Sequence, residues 1–251
     1  MKTRRTWGMG IALLAFLLTI ACGGTSTSNA DWQTPLKALL TLHATQHNAP
    51  RHLLDGEQRR EEDFDPNTYF TALERLSLEP GYVLDYVYYA DFLGGAPVLY
   101  ARATDQPPYS SESALPRTLP PYLDSIHAED SIEGFYQLAL LRVLGGQFYL
   151  YWHAGYNDRQ VLVTPAAITA LLEAGDGFEQ AFPHDMHREA QNLNPTPQVV
   201  LNETTVTVTL LTFTNWGGFE QYTVTFQRAF PHTRIEETIK TLVEYDCGVV
   251  F

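Results

Sequence analysis

Between Thr205 and Leu210 the sequence alternates strictly, with Val206, Val208 and Leu210 apolar and Thr205, Thr207 and Thr209 polar. A period of two puts the apolar set on one face of a strand and the threonines on the other. Trp216-Gly217-Gly218 then turns the chain into a second run, Tyr222 to Gln227, and Ile235 to Tyr245 reads as a third strand. Three antiparallel strands with one apolar face need a cover, and the nearest helical segments are those just before them. Thr164-Pro165 caps one, running to Leu172, and a second covers Phe178 to Leu193, before Asn194-Pro195-Thr196-Pro197 breaks the pattern. The fold class that follows is α+β, antiparallel sheets (hairpins and a C-terminal meander) packed with a few helices.

Upstream, Thr34 offers an N-cap and Pro35 a first helical position, which predicts a helix to about His47 with Leu36, Leu39, Leu40 and His43 on one face. The charged stretch from Asp55 to Asp65 reads as a solvated loop or helix surface, and a second helix is expected from Asn67 to Leu76. The period then changes. Tyr82 to Phe92 is rich in aromatic and β-branched residues, turns at Gly94-Gly95 and continues from Val98 to Ala103, which reads as a β-hairpin. Residues 106–121 hold five prolines and form a surface crossover. From Gly134 an apolar run reaches Leu144, turns at Gly145-Gly146 and continues from Phe148 to His153. Leu93-Gly94-Gly95 and Leu144-Gly145-Gly146 echo each other at a period of 51, through duplicated hairpins or shared turn chemistry.

The N-terminus speaks to location. Lys2, Arg4 and Arg5 form a basic head, and Ile11 to Ala21 is almost wholly apolar and too short to span a bilayer comfortably. The ending Leu18-Thr19-Ile20-Ala21-Cys22 resembles the lipobox of bacterial lipoproteins, with Thr19 where that pattern usually has Leu. The resemblance implies that residues 1–21 are a cleaved signal peptide and that Cys22 is lipidated, anchoring the protein on the extracytoplasmic face of a cell membrane. Thr3-Arg4-Arg5-Thr6-Trp7 also resembles the twin-arginine export motif, so the leader is compatible with that route or the general one. Residues 22–33, small and polar, read as a lipid-anchored tether, and residues 34–251 as one α+β domain with a possible subdivision near 165–197.

Without residues 1–21 the chain carries 13 Lys and Arg against 29 Asp and Glu, a formal charge of −16. Such an excess argues against nucleic acid and against electrostatic docking to anionic lipid. Cys22 taken by lipid leaves Cys247 without an intramolecular partner, and its neighbours Tyr245, Val249 and Val250 mark it as a small buried hydrophobe.

Three constellations could carry function. Alternation from Gln147 to His153 places Gln147, Tyr149, Tyr151 and His153 on one face, and the strand from Tyr82 sends Asp85 and Tyr89 to one side. Adjoining, these faces would form a platform of rings and hydroxyls for a small molecule or protein partner. His153 with Asp158 could form a base and its orienting acid, although no nucleophile motif accompanies them. His184 and His187, with Asp185 or Glu189 and His232, could hold a metal, although the His-Glu-x-x-His pattern is absent. No phosphate loop, dinucleotide fingerprint or calcium loop occurs, and no cofactor is expected. The leading expectation is a lipid-anchored, non-catalytic ligand- or partner-binding module of the cell envelope. A lipid-anchored hydrolase or metal enzyme, and a structural envelope protein, are the alternatives. Cys22→Ser is expected to move the protein from the membrane fraction to the soluble fraction on cell fractionation; a variant that stays with the membrane contradicts lipidation.

Overall fold

A helix sheathed on nearly every side, Ile132–Leu144, is the centre about which this chain is built. The computed structural model describes residues 30–175, 177 and 181–249. The leader, Cys22 and the tether to residue 29 lie outside the described residues, as does the 178–180 part of the helix expected from Phe178. In chain order the helices are α1 (Gln33–His43), α2 (Arg51–Leu54), α3 (Tyr69–Ala72), α4 (Ile132–Leu144), α5 (Pro165–Ala174) and α6 (His184–Ala190). The strands are β1 (Leu76–Leu78), β2 (Tyr82–Ala90), β3 (Gly94–Ala103), β4 (Ile126–Ala128), β5 (Tyr151–Trp152), β6 (Gln160–Leu162), β7 (Gln198–Leu201), β8 (Thr205–Thr214), β9 (Gly218–Gln227) and β10 (Arg234–Val243). They form antiparallel sheets: β1-β4, β2-β3-β5, and β10-β9-β8 with β6 and β7 along successive stretches of the far edge of β8. The fold is α+β. No helix among the described residues is long and apolar enough to cross a membrane.

The apolar run from Gly134 is α4, not the first arm of a hairpin. Its residues are Leu-rich rather than β-branched, which favours helix, and the Ser131 hydroxyl accepts the Gly134 N–H at 3.0 Å as an N-cap. Gly134 is required there, because a Cβ would lie 2.1 Å from the Glu129 carbonyl oxygen. Phe135, Tyr136, Leu138, Ala139, Leu140 and Leu141 are all fully buried, so the helix has no polar stripe in its middle turns. The echo at period 51 therefore joins unlike structures: Gly145 caps α4, while Gly94 and Gly95 lie inside β3 and the β2–β3 turn falls at Asp91–Leu93.

The C-terminal meander folds as its alternation demands, with Val206 opposite Phe226, Val208 opposite Val224 and Leu210 opposite Tyr222. The cover differs from expectation. That apolar face packs in the same core as α4, whereas α5 and α6 pack with Leu211, Phe213 and Phe219 on the other face at the end of the sheet. The pair Leu210-Leu211 is where alternation ends and both faces become buried. Thr164 caps α5 as expected, its hydroxyl accepting the Ala167 N–H at 3.1 Å. Thr34 does not cap α1: the Asp31 carboxylate takes the Gln33 and Thr34 N–H groups one step earlier. The expected 67–76 helix is a 3-10 turn followed by the short α3, because β1 begins at Leu76.

Leu36, Leu39 and His43 face the core as predicted, whereas Leu40 is 47 % exposed. His43 is the polar member of this core. Its Nε2 lies 2.8 Å from the Tyr69 hydroxyl, which donates to the Gly145 carbonyl at 2.6 Å. The hydroxyl has one proton and has given it away, so His43 Nε2 carries the hydrogen and donates. Burial pushes the His43 pKa down to about 4. The folded state thus holds a neutral imidazole that the unfolded chain protonates near pH 6.5, so stability is full above that pH and falls as pH drops toward 4. Urea unfolding is expected to show His43→Gln losing roughly 2–3 kcal/mol less stability than wild type between pH 7 and pH 4. Identical losses in the two proteins would refute the neutral buried imidazole.

Candidate functional site

Among the described residues strand β2 has one strand partner. β3 takes one edge from Tyr82↔Ala103 to Ala90↔Gly95, and the sheet ends at β2. In an antiparallel ladder alternate residues turn their N–H and C=O toward the partner. The parity here is fixed by several observations. Asp91 N–H donates to the Gly94 carbonyl at 2.9 Å, and Pro97, which has no N–H, stands opposite Tyr88. From the far side, the Asn67 side-chain amide accepts from Leu84 N–H at 2.9 Å and donates to Leu84 C=O at 2.8 Å. Asp85, Val87 and Tyr89 therefore pair with β3, while Leu84, Tyr86, Tyr88 and Ala90 turn their main-chain groups to the open edge. Asn67 satisfies Leu84, and Asp85 Oδ1 accepts the Tyr86 N–H at 2.9 Å. The Tyr86 C=O, both groups of Tyr88 and the Ala90 N–H have no partner among the described residues.

This stretch of edge floors a cleft of about 270 Å³. Gly56–Arg59, following α2, forms one wall, and the proline-rich crossover at 108–113 forms the other. The Arg59 guanidinium lies over the Tyr86 ring, 5.6 Å from its centroid, donates to the Phe64 carbonyl at 3.1 Å and reaches Asp85 at 3.4 Å. Asp85 is buried, and its other oxygen accepts from Arg102 Nε at 3.0 Å. Arg102 donates in turn to the Gln106 carbonyl in the crossover. Asp85 thus ties the two walls together across the strand. Tyr109 fastens the second wall, donating its N–H to the Tyr100 hydroxyl at 3.0 Å with the rings 5.0 Å apart. The Tyr86 hydroxyl is buried with no protein partner among the described residues, and burial pushes its pKa up.

At the Ala90 end the cleft meets an exposed aromatic corner. The register places Asp91, Gly94 and Trp152 in one row across the sheet and Ala90, Gly95 and Tyr151 in the next. Gly95 is needed because a Cβ would lie 2.7 Å from the Tyr88 hydroxyl. Tyr89, Phe92, Leu93, Tyr151 and Trp152 are all exposed here, Phe92 at 82 %. Asp91 organises the turn: it accepts from the Tyr89 hydroxyl at 2.5 Å and from the Leu93 and Gly94 amides, and these bonds, Tyr89's foremost, hold its pKa below the usual range. Trp152 has φ of 51°, a conformation that costs a bulky residue on the order of 1–3 kcal/mol. No protein-family model, curated protein or solved structure matches the chain.

The expected platform is therefore split. Tyr89 and His153 reach the same corner, His153 donating its N–H to the Leu93 carbonyl, while Tyr151, in the row of Ala90 and Gly95, is exposed there on the opposite face of the sheet from Tyr89. Asp85, Tyr149 and Gln147 do not reach it. Tyr149 is buried at a φ of 54°, accepting the Phe64 N–H on its hydroxyl and the Tyr88 hydroxyl on its carbonyl, which makes it a structural clamp. Gln147 bonds back to the Val143 carbonyl. The strand predicted from Gln147 shrinks to Tyr151–Trp152, because the two left-handed residues break its alternation.

The other constellations do not assemble as proposed. Asp158 accepts from the Thr214 hydroxyl and the Asn215 amide at the β8–β9 end, and burial raises its pKa. His184 and His187 sit together on α6 with ring centroids 6.5 Å apart. His232 is buried elsewhere, its ring against Phe135 and its Nε2 accepting the Ala128 N–H. No group of three metal-capable side chains occurs among the described residues. Sequence reasoning missed Arg59, Tyr109 and Glu112. Pairing of β2 on one side alone is what makes them a site, and that is a non-local fact with no local motif.

Proposed function

We propose that this chain is a non-catalytic binding module of the cell envelope, held to the extracytoplasmic face of a membrane by lipid on Cys22, with the β2 cleft as its ligand site. The observation that supports the reading most is the walled cleft on an unpaired strand edge, opening onto exposed aromatic rings. Clefts that combine ring surface with a few fixed polar groups are the usual form of binding sites, and exposed apolar corners of this kind mark contact surfaces. The histidines and carboxylates that could have carried chemistry are occupied in structural bonds or stand apart. The small polar stretch before Ala30 and the strong negative charge suit a domain held clear of a membrane by a tether.

The test is thermal unfolding of the mature chain, from residue 22 with Cys22→Ser, screened against metals, saccharides, peptides and amino acids. A ligand at a hundredfold excess over its Kd adds about 2.7 kcal/mol of stability. The expected result is a ligand that raises the wild-type midpoint but not that of Tyr89→Ala, whose own midpoint is unchanged because Tyr89 is an exposed side chain. An equal shift in Tyr89→Ala, or a metal shift lost in His184→Ala, would place the function elsewhere.

A further inference from the structure

We infer that the cleft takes an extended polypeptide segment bearing a basic side chain, paired through its main chain to the open edge of β2; this rests on the binding reading above. The free groups are in the order that a strand needs. Tyr86 C=O, Tyr88 N–H, Tyr88 C=O and Ala90 N–H follow one another along the edge, so an incoming strand closes a ladder of about four main-chain hydrogen bonds. A saccharide or aromatic ligand has no matching alternation of donors and acceptors at strand spacing. The edge is also prepared at one end only. Asn67 closes it at Leu84 and Asp85 occupies the Tyr86 N–H, so pairing is confined to the stretch from Tyr86 to Ala90.

Charge selects the side chain. Facing residues of paired strands share a face, so an incoming residue opposite Tyr89 projects on the Tyr89 side. The 108–113 wall stands on that side, since Tyr109 packs on Tyr100, the residue opposite Asp85. Asp91 bonds the Tyr89 hydroxyl, and Glu112 lines the cleft together with Tyr89. Neither carboxylate is ion-paired with Lys or Arg among the described residues. Two carboxylates beside an exposed tyrosine ring form a seat for a Lys or Arg, which gains from both the charges and the ring face. An acidic side chain at the same position is repelled by these two carboxylates.

The probes are acetylated, amidated pentapeptides Thr-Val-Lys-Val-Thr, its Glu counterpart, and the Lys peptide with alternate backbone nitrogens methylated, titrated into the 15N-labelled mature chain with Cys22→Ser. The Lys peptide is expected to shift the Tyr88 and Ala90 amides saturably. The Glu peptide should bind about tenfold more weakly, one favourable charge contact exchanged for an unfavourable one, with the gap narrowing at high salt. The methylated peptide should not bind. Ala90→Pro removes an edge donor without touching the β3 ladder and should abolish binding, while Ala90→Ser keeps it. Should Ala90→Pro fail to fold, the methylation comparison on the wild-type chain decides. Equal binding of the methylated peptide overturns the inference. So does a non-peptide ligand whose thermal shift depends on Tyr89 while no peptide moves these amides, an outcome that leaves the binding module standing; a chain in which no ligand of any class depends on Tyr89 overturns both.

Discussion

Burial of α4 on nearly all sides is the constraint from which the architecture follows. A helix whose middle turns carry no polar stripe cannot lie on a surface, so it has to be covered by separate layers. The β8–β9 face supplies one, through Val206, Val208, Leu210, Tyr222, Val224 and Phe226. The N-terminal helices and the β2–β3 hairpin supply the other, through Leu36, Leu39, Tyr69, Leu84 and Tyr86. Several polar groups drawn into this core are paired. Gln137 accepts the Arg75 N–H, and Arg142 near the end of α4 reaches Glu237 of β10 at 2.6 Å. Tyr136 donates to the Trp32 carbonyl, tying the start of α1 to the helix.

That second layer also creates the candidate site. β2 is recruited for the inward face of Leu84, Tyr86 and Tyr88, and its position at the sheet margin leaves an edge with main-chain groups to satisfy. Unprotected edges invite uncontrolled pairing. Here Asn67 and Asp85 close the first part, and the walls at 56–59 and 108–113 flank the rest, so access is narrowed to a short segment. The same buried Asp85 that holds Arg59 over Tyr86 also holds Arg102 and, through it, the crossover. Cleft and core are in this sense one construction, and losing Asp85 would leave two guanidinium groups without their shared anion.

The parts of the fold legible in the sequence are those in which a local period agrees with burial: the Thr205–Leu210 alternation, the β2–β3 hairpin and the Thr164-Pro165 cap. The apolar run of α4 has no such period, because a fully buried helix and a buried strand look alike in hydrophobicity. Tyr149 and Trp152 spoiled the reading of 147–153, since nothing in their neighbourhood announces a left-handed backbone at a bulky residue. Of the proposed site residues, Tyr89 and His153 reach one corner because the β2–β3 turn and β5 meet there, while pairing to adjacent residues of β3 puts Tyr151 on the face opposite Tyr89. Asp85 looked like a ligand group on parity alone; that Arg59 and Arg102 would both be folded onto it depended on contacts 26 and 17 positions away.

The central claim is that β2 keeps an unpaired edge from Tyr86 to Ala90, and residue-resolved amide exchange of the ligand-free mature chain tests it most directly. Bonds within the sheet should protect Val87 and Tyr89, and the Asn67 amide should protect Leu84. Tyr88 and Ala90 should exchange faster than these by about a hundredfold or more, because their N–H groups face the cleft. Uniform protection from Leu84 to Ala90 would mean that the edge is already paired and the cleft closed, and the account built on it would fall.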